Sequence, residues 1–369
     1  MRIAFALPGL HRVNRGAEVA FESVAQEIAL AGADRVTLIG SGLARADRAY
    51  GFQHVPATPR ERFERWPKIP VLRNETSYEE LTFVAGLVGS RAIAEADATV
   101  TCSYPFTNWA LRGLGRRGRR NGTRPAAHVF VTQNGDYPAI TRNREYRLFS
   151  CDGLVCTNPT FFARCKDRWL ATLIPNGIDP SRFHQGPDRR AELGLPTSGP
   201  IILMVSALVP GKRVLEGMRA VARISGAFMI VAGDGPLREE ADLLAAEILP
   251  GRFSRRSFKH EQMADLYRSV DVFLHTTIGE SFGNVYIEAL ASGLPVVAHD
   301  ESLTRWIFED HACLVDTTKT EPIVEALKAA LDVPATTRAN GANFAKRYDW
   351  RVIASQYRAF ISDVVARRG

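Results

Sequence analysis

Two glutamates, Glu280 and Glu288, stand eight positions apart in the run GESFGNVYIEALASGLPVVAHD, residues 279–300. Phe282 and Gly283 lie between them. The run reads as a turn into a helix, with a strand, LPVVAHD, behind it. Such a turn offers backbone N–H groups and a positive helix end to an anion. A carboxylate on either side can accept from hydroxyl groups, two vicinal ones at once. The pattern therefore suits a ligand with hydroxyls flanking an anion. A nucleotide sugar has that layout: ribose hydroxyls, a diphosphate, then sugar hydroxyls.

The spacing resembles the E-x7-E element of glycosyltransferase family 4, retaining enzymes of the GT-B fold. Further segments match in the same order along nearly the whole chain. MRIAFALPGLHRVNRGAEVAFESVAQEIALAG, residues 1–32, looks like the first strand, the Gly-Ala-Glu loop and the first helix. LIPNGIDPSRF, residues 173–183, looks like the connection between domains. MVSALVPGKRV and VAGDGPLREEAD look like the first two strand-loop-helix units of the donor domain. The resemblance implies an α/β protein: two Rossmann-like domains facing across a cleft, with a C-terminal helix crossing back to the first. The expected divisions are an acceptor domain 1–175, a linker 176–200, a nucleotide-sugar domain 201–347 and a returning helix 348–369.

The same resemblance assigns roles. Glu288 is expected at the donor ribose; its neighbours Tyr286, Ile287, Ala289 and Leu290 are apolar, although a solvated helix acid is the alternative. Glu280 is expected beside the reacting sugar carbon, where it would stabilise developing positive charge; a plain dipole-favouring acid is the alternative. Ser281, Phe282, Gly283 and Asn284 should bring backbone amides to the sugar or diphosphate. Ser281 stands where the family usually has glycine, and Asn284 where an apolar residue often stands. Lys212 is expected on the donor phosphates, offsetting leaving-group charge. The family often has an arginine five residues earlier, where this chain has Ala207, and Arg213 is the candidate substitute. Gly16 should meet the diphosphate from the first domain. Phe258, Lys259 and His260 match the segment whose backbone reads the base, and residues 233–240 support the donor site.

Acceptor candidates are Gln133, which replaces the histidine common in the family, with Asn134, Asp136, Tyr137, His11 and Arg15. Turn formation explains Asn-Gly-Asp equally well. Without that histidine no general base is supplied, which suits front-face attack in which a donor phosphate oxygen takes the acceptor proton. No metal clamp and no cofactor are expected; the partners are an NDP-sugar and a hydroxyl acceptor. The function so implied is retaining transfer of a hexosyl group to a saccharide, lipid-linked or natural-product hydroxyl. The alternatives are an epimerase or phosphorylase on the same fold, and a non-catalytic nucleotide-sugar-binding protein with a decayed site. Ala207 and Gln133 feed the last.

At 369 residues the chain suits two domains. No apolar run reaches the length of a membrane span, and residues 1–10 read as a strand, not a leader. Five cysteines in no metal-like spacing read as reduced thiols of a cytoplasmic protein. The formal charge of +7 admits an anionic substrate, a membrane or nucleic acid, and equally a compositional bias toward arginine; no nucleic-acid role is expected. The densest run is RRGRRNGTR, residues 116–124, read as a loop. Its Arg116, Arg117, Arg119 and Arg120 are the candidates for weak peripheral contact with an anionic membrane.

Apolar runs alternate with helix-period segments throughout, the signature of parallel sheets covered by helices. Strands are expected at 2–7, 35–39, 98–102, 128–132 and 153–156, then at 201–205, 227–232, 252–258, 272–275 and 295–298. Phe21, Val24, Ala25 and Ile28 mark the buried face of the first helix. Residues 40–77 read as a long irregular excursion over the acceptor side.

Overall fold

The computed structural model describes residues 1–120, 125–133 and 144–368. They divide into two compact units: Met1–Asn176 with Trp350–Gly369, and Gly177–Asp349. Asn134, Asp136 and Tyr137 lie outside the described residues.

The first unit is built on seven parallel strands: β1 (Arg2–Ala6), β2 (Arg35–Gly40), β3 (Gly51–His54), β4 (Ala98–Thr101), β5 (Ala127–Val131), β6 (Gly153–Cys156) and β7 (Ala171–Leu173). Their order is β3-β2-β1-β4-β5-β6-β7. Strands buried on both faces read as unbroken apolar runs, as AHVFV of β5 does. The Gly16–Leu30 helix turns Phe21, Val24, Ala25 and Ile28 onto the sheet. The Trp350–Ala366 helix shares that core through Trp350, Ile353, Tyr357, Ile361 and Val364. Gly153 lets it approach: a Cβ there would sit 2.5 Å from Val364.

The second unit carries β8 (Ile201–Val205), β9 (Phe228–Ala232), β10 (Phe253–Arg256), β11 (Val272–His275), β12 (Val296–His299) and β13 (Cys313–Val315). Their order is β10-β9-β8-β11-β12-β13, all parallel. This is the doubly wound arrangement, in which the direction of strand addition reverses between β8 and β11. Ligands of such sheets bind beyond the carboxyl ends of the strands at that switch point. The loops after β8 and β11 hold Lys212 and Glu280.

Three readings of the sequence are corrected. Of residues 176–200, read as a linker, 177–200 are packed into the second unit: Ile178, Phe183 and Leu195 join its core, and Arg190 pairs with Asp271 at 2.8 Å. Their Pro and Gly content marks irregular backbone, not separation from the fold. The excursion at 40–77 contains edge strand β3, paired with β2, and a 3-10 turn at Arg60–Phe63. Residues 116–120, read as loop, continue the Phe106–Arg120 helix; isolated glycines lower helix propensity by about 1 kcal/mol each without ending a helix that is otherwise favoured.

Candidate active site

The loop after β8 is shaped by close backbone approaches. Gly233 and Gly235 let the β9 loop lie against it: Cβ atoms there would sit 2.0 Å from the Ser206 carbonyl oxygen and 2.5 Å from that of Leu208. Pro210–Lys212 forms a 3-10 turn, and Arg213 adopts a left-handed φ of 54° as it enters the Val214–Ala222 helix. Thr276, just past β11, clamps this turn, its hydroxyl being hydrogen-bonded to the Arg213 carbonyl at 2.7 Å and near the Lys212 carbonyl at 3.2 Å. Thr317 in turn donates to the Thr276 carbonyl at 3.2 Å. The two adjacent basic side chains then diverge. Arg213 donates to the Thr317 carbonyl at 3.1 Å and lies 3.4 Å from Glu216. Lys212 donates from Nζ to Oε2 of Glu280.

Glu280 is thus the centre of a compact charged group. Its side chain is 16% exposed, and the 2%-exposed ring of His275 lies 3.6 Å from Oε2 through Nε2. Burial alone would raise the Glu280 pKa; contact with His275 and the Lys212 ammonium outweigh it and hold the carboxyl at about 2. Burial keeps His275 below its ordinary value, so the ring is neutral at neutral pH. Among the described residues neither His275 ring nitrogen has a hydrogen bond within 3.5 Å, nor has the buried hydroxyl of Tyr286, whose ring meets His275 edge-on at 4.8 Å.

The turn that follows is fixed by Gly283. Its φ of 78° is left-handed, and a Cβ would sit 2.7 Å from the Tyr286 ring. Phe282 is buried edge-on to Trp306, the Ser281 amide donates to Oε1 of Glu280 at 3.2 Å, and Asn284 opens the Asn284–Ala291 helix. One turn on, Glu288 accepts from the Tyr267 hydroxyl at 2.9 Å. Burial raises the Glu288 pKa, with Tyr267 and the charge of Arg182 acting the other way. Phe258 follows edge strand β10, with the Arg256 guanidinium 4.7 Å over its ring.

The second unit therefore brings Lys212, Glu280, Ser281, Phe282, Gly283, Asn284 and Glu288 to the carboxyl ends of β8 and β11. Sequence reasoning missed His275, Tyr267, Thr276 and Thr317. Only the HTT run before Glu280 could have signalled the polar ends of β11.

In the first unit, Arg15 and Gly16 follow β1. Gly16 begins the Gly16–Leu30 helix; Arg15 precedes it in extended conformation and reaches Glu61 at 3.1 Å. Glu18 is buried, which raises its pKa, and its Oε1 fills the place a Cβ on Gly9 would take. His11 is half-buried: its nitrogens meet the Leu43 carbonyl at 2.7 Å and the Tyr50 hydroxyl at 2.8 Å, and its ring stacks on Phe52 at 4.2 Å. The Gln133 side-chain amide is reciprocally paired with that of Asn176. Among the described residues no three His, Cys, Asp or Glu converge as metal ligands, and no helix is long and apolar enough to cross a membrane.

Residues 186–347 match the model of the family described as Glycosyl transferases group 1. The matched residues lie within the second unit. A curated relative is the lipopolysaccharide core biosynthesis glycosyltransferase LpsE of Rhizobium meliloti (strain 1021), 28% identical over 204 residues; the match spans 54% of this chain and 58% of LpsE, less than two thirds of its length. Sucrose-phosphate synthase from Thermosynechococcus elongatus superposes with a TM-score of 0.77 at 20% identity over 99% of each chain. Anabaena Alr3699/HepE, solved with UDP-glucose, gives 0.73 at 17% identity over 99% of each. These likenesses show the GT-B fold.

Proposed function

We propose that this protein is a retaining glycosyltransferase that moves a hexosyl group from an NDP-sugar to a hydroxyl of a saccharide, lipid-linked or natural-product acceptor, on the cytoplasmic side, without a divalent ion. The observation that carries the reading is the Lys212–Glu280 pair at the switch point of the second sheet, beside the Gly283 turn and one helical turn before Glu288. A nucleotide sugar needs a cation and amide groups for its diphosphate and acceptors for its two sets of hydroxyls, and this group offers each. Lys212 would turn from Glu280 to the diphosphate, stabilising the leaving group as charge builds on it. Glu280 would then face the positive charge growing at the sugar carbon. Glu288 would hold the ribose, and the Phe258 segment would meet the base.

The acceptor would be held by the first unit, with Arg15 and Gln133 among its contacts. HepE was solved with UDP-glucose, which makes UDP-glucose the first donor to try. The test is NDP release and product analysis with UDP-, GDP-, ADP- and dTDP-sugars, with and without acceptor extracts, with the anomeric configuration of the product read by NMR. Retention, and activity that survives EDTA, support the proposal. Inversion, or full loss on chelation restored by magnesium or manganese, contradicts it.

A further inference from the structure

We propose that the turn at residues 60–73 of the first unit is a docking element for an anionic lipid bilayer. The segment RERFERWPKIPVLR holds five cations and two acids. Glu61 is already engaged, by Arg15 at 3.1 Å and Arg60 at 3.6 Å. Arg62, Arg65 and Lys68 are exposed, and their side chains have no ion-pair or hydrogen-bond partner among the described residues. Between and beside them stand Trp66, 52% exposed, and Ile69, 47% exposed. Large apolar side chains at a tip ringed by unpaired cations are what a charged bilayer surface selects. Tryptophan settles at headgroup level, and each nearby Lys or Arg is drawn by the negative surface potential.

The tip is preshaped. Phe63 is buried beneath it, stacked on Tyr78 at 5.3 Å and edge-on to Trp66 at 5.0 Å. The Tyr78 hydroxyl donates to the Pro67 carbonyl at 2.6 Å, and the Ile69 amide donates to the Leu72 carbonyl at 3.2 Å. Val71 is held at a φ of 74°, a region β-branched residues avoid. Docking thus requires little ordering of this segment. A second copy of the chain is a poor occupant, because a self-paired face would set Arg62, Arg65 and Lys68 against their own likes. The element is distinct from the arginine run at 116–120. Docking does not depend on the transfer reaction.

The test is flotation of the full chain with vesicles of phosphatidylcholine alone and of phosphatidylcholine with phosphatidylglycerol. Binding to the anionic vesicles only, weakened by salt, is expected. Replacing Arg62, Arg65 and Lys68 by glutamine should weaken it on the order of a hundredfold, about fivefold per charge. Replacing Trp66 and Ile69 by serine should weaken it about tenfold. A control lacking Arg219, Arg223 and Lys328 of the second unit should bind as wild type does. NDP binding, measured on every variant, shows that each is folded and tests the donor site separately. The proposal is overturned if wild type stays in solution with anionic vesicles, if both sets of variants float as it does, or if wild type is a dimer that the Trp66 and Ile69 changes dissociate.

Discussion

Replacing Lys212 by methionine removes the cation that holds Glu280 charged. The size of the effect follows from the Glu280 pKa, which stands at about 2 against an ordinary 4.5. At about 1.4 kcal/mol per unit, the fold favours the ionised carboxyl by about 3 kcal/mol. Burial opposes the shift and His275 shares in it, so the part belonging to Lys212 is at least about 1.5 kcal/mol. Both side chains are less than a third exposed, at 28% and 16%, so solvent screens the pair only in part. The assay is a double-mutant cycle of Lys212→Met and Glu280→Gln in urea denaturation. Because the folded pKa lies below the ordinary value, the contribution is whole above about 4.5 and disappears as pH falls toward about 2. The coupling energy should therefore be flat near neutral pH and shrink in acid. A coupling below about 0.5 kcal/mol, or one that persists in acid, would refute the reasoning.

Three further outcomes follow from the site. Glu280→Ala should lower turnover ten- to a hundredfold, roughly the 1.5–3 kcal/mol of a hydrogen bond to a charged group, with less effect on donor affinity; steady-state kinetics that match wild type would remove Glu280 from the reaction. Tyr267→Phe deletes the hydroxyl whose hydrogen bond lowers the Glu288 pKa against burial, so the acid limb of donor binding should move to higher pH, and an unchanged pH profile would separate Tyr267 from the site. Gly283→Ala combines a left-handed φ with a contact 2.7 Å from the Tyr286 ring and should cost about 1–3 kcal/mol; an unaltered urea midpoint would mean the turn relaxes freely.

Much of this was legible in the sequence, for physical reasons that also mark the limit. Buried parallel strands announce themselves as unbroken apolar runs, so IILMV of β8 and VFLH of β11 were found. Edge strands β3, β7 and β13 have three or four residues and no such run, so pairing alone defines them. The spacing of Glu280 and Glu288 lies within one strand-turn-helix unit and can be read locally. The contacts that tune them cannot: Lys212 meets Glu280 across 68 positions, and Tyr267 meets Glu288 across 21. His11 is the converse case. A histidine on the first loop suggested a ligand contact, and its long-range partners at Leu43, Tyr50 and Phe52 could not be read locally.

The central claim is that the second unit binds a nucleotide sugar between Lys212 and Glu288, and calorimetric titration with UDP-, GDP-, ADP- and dTDP-sugars tests it most directly. Wild type should bind one of these donor classes, and Glu288→Ala should weaken that binding ten- to a hundredfold, as loss of about 1.5–3 kcal/mol requires. Binding of none of them, or binding that Glu288→Ala and Lys212→Ala both leave unchanged, would contradict the account.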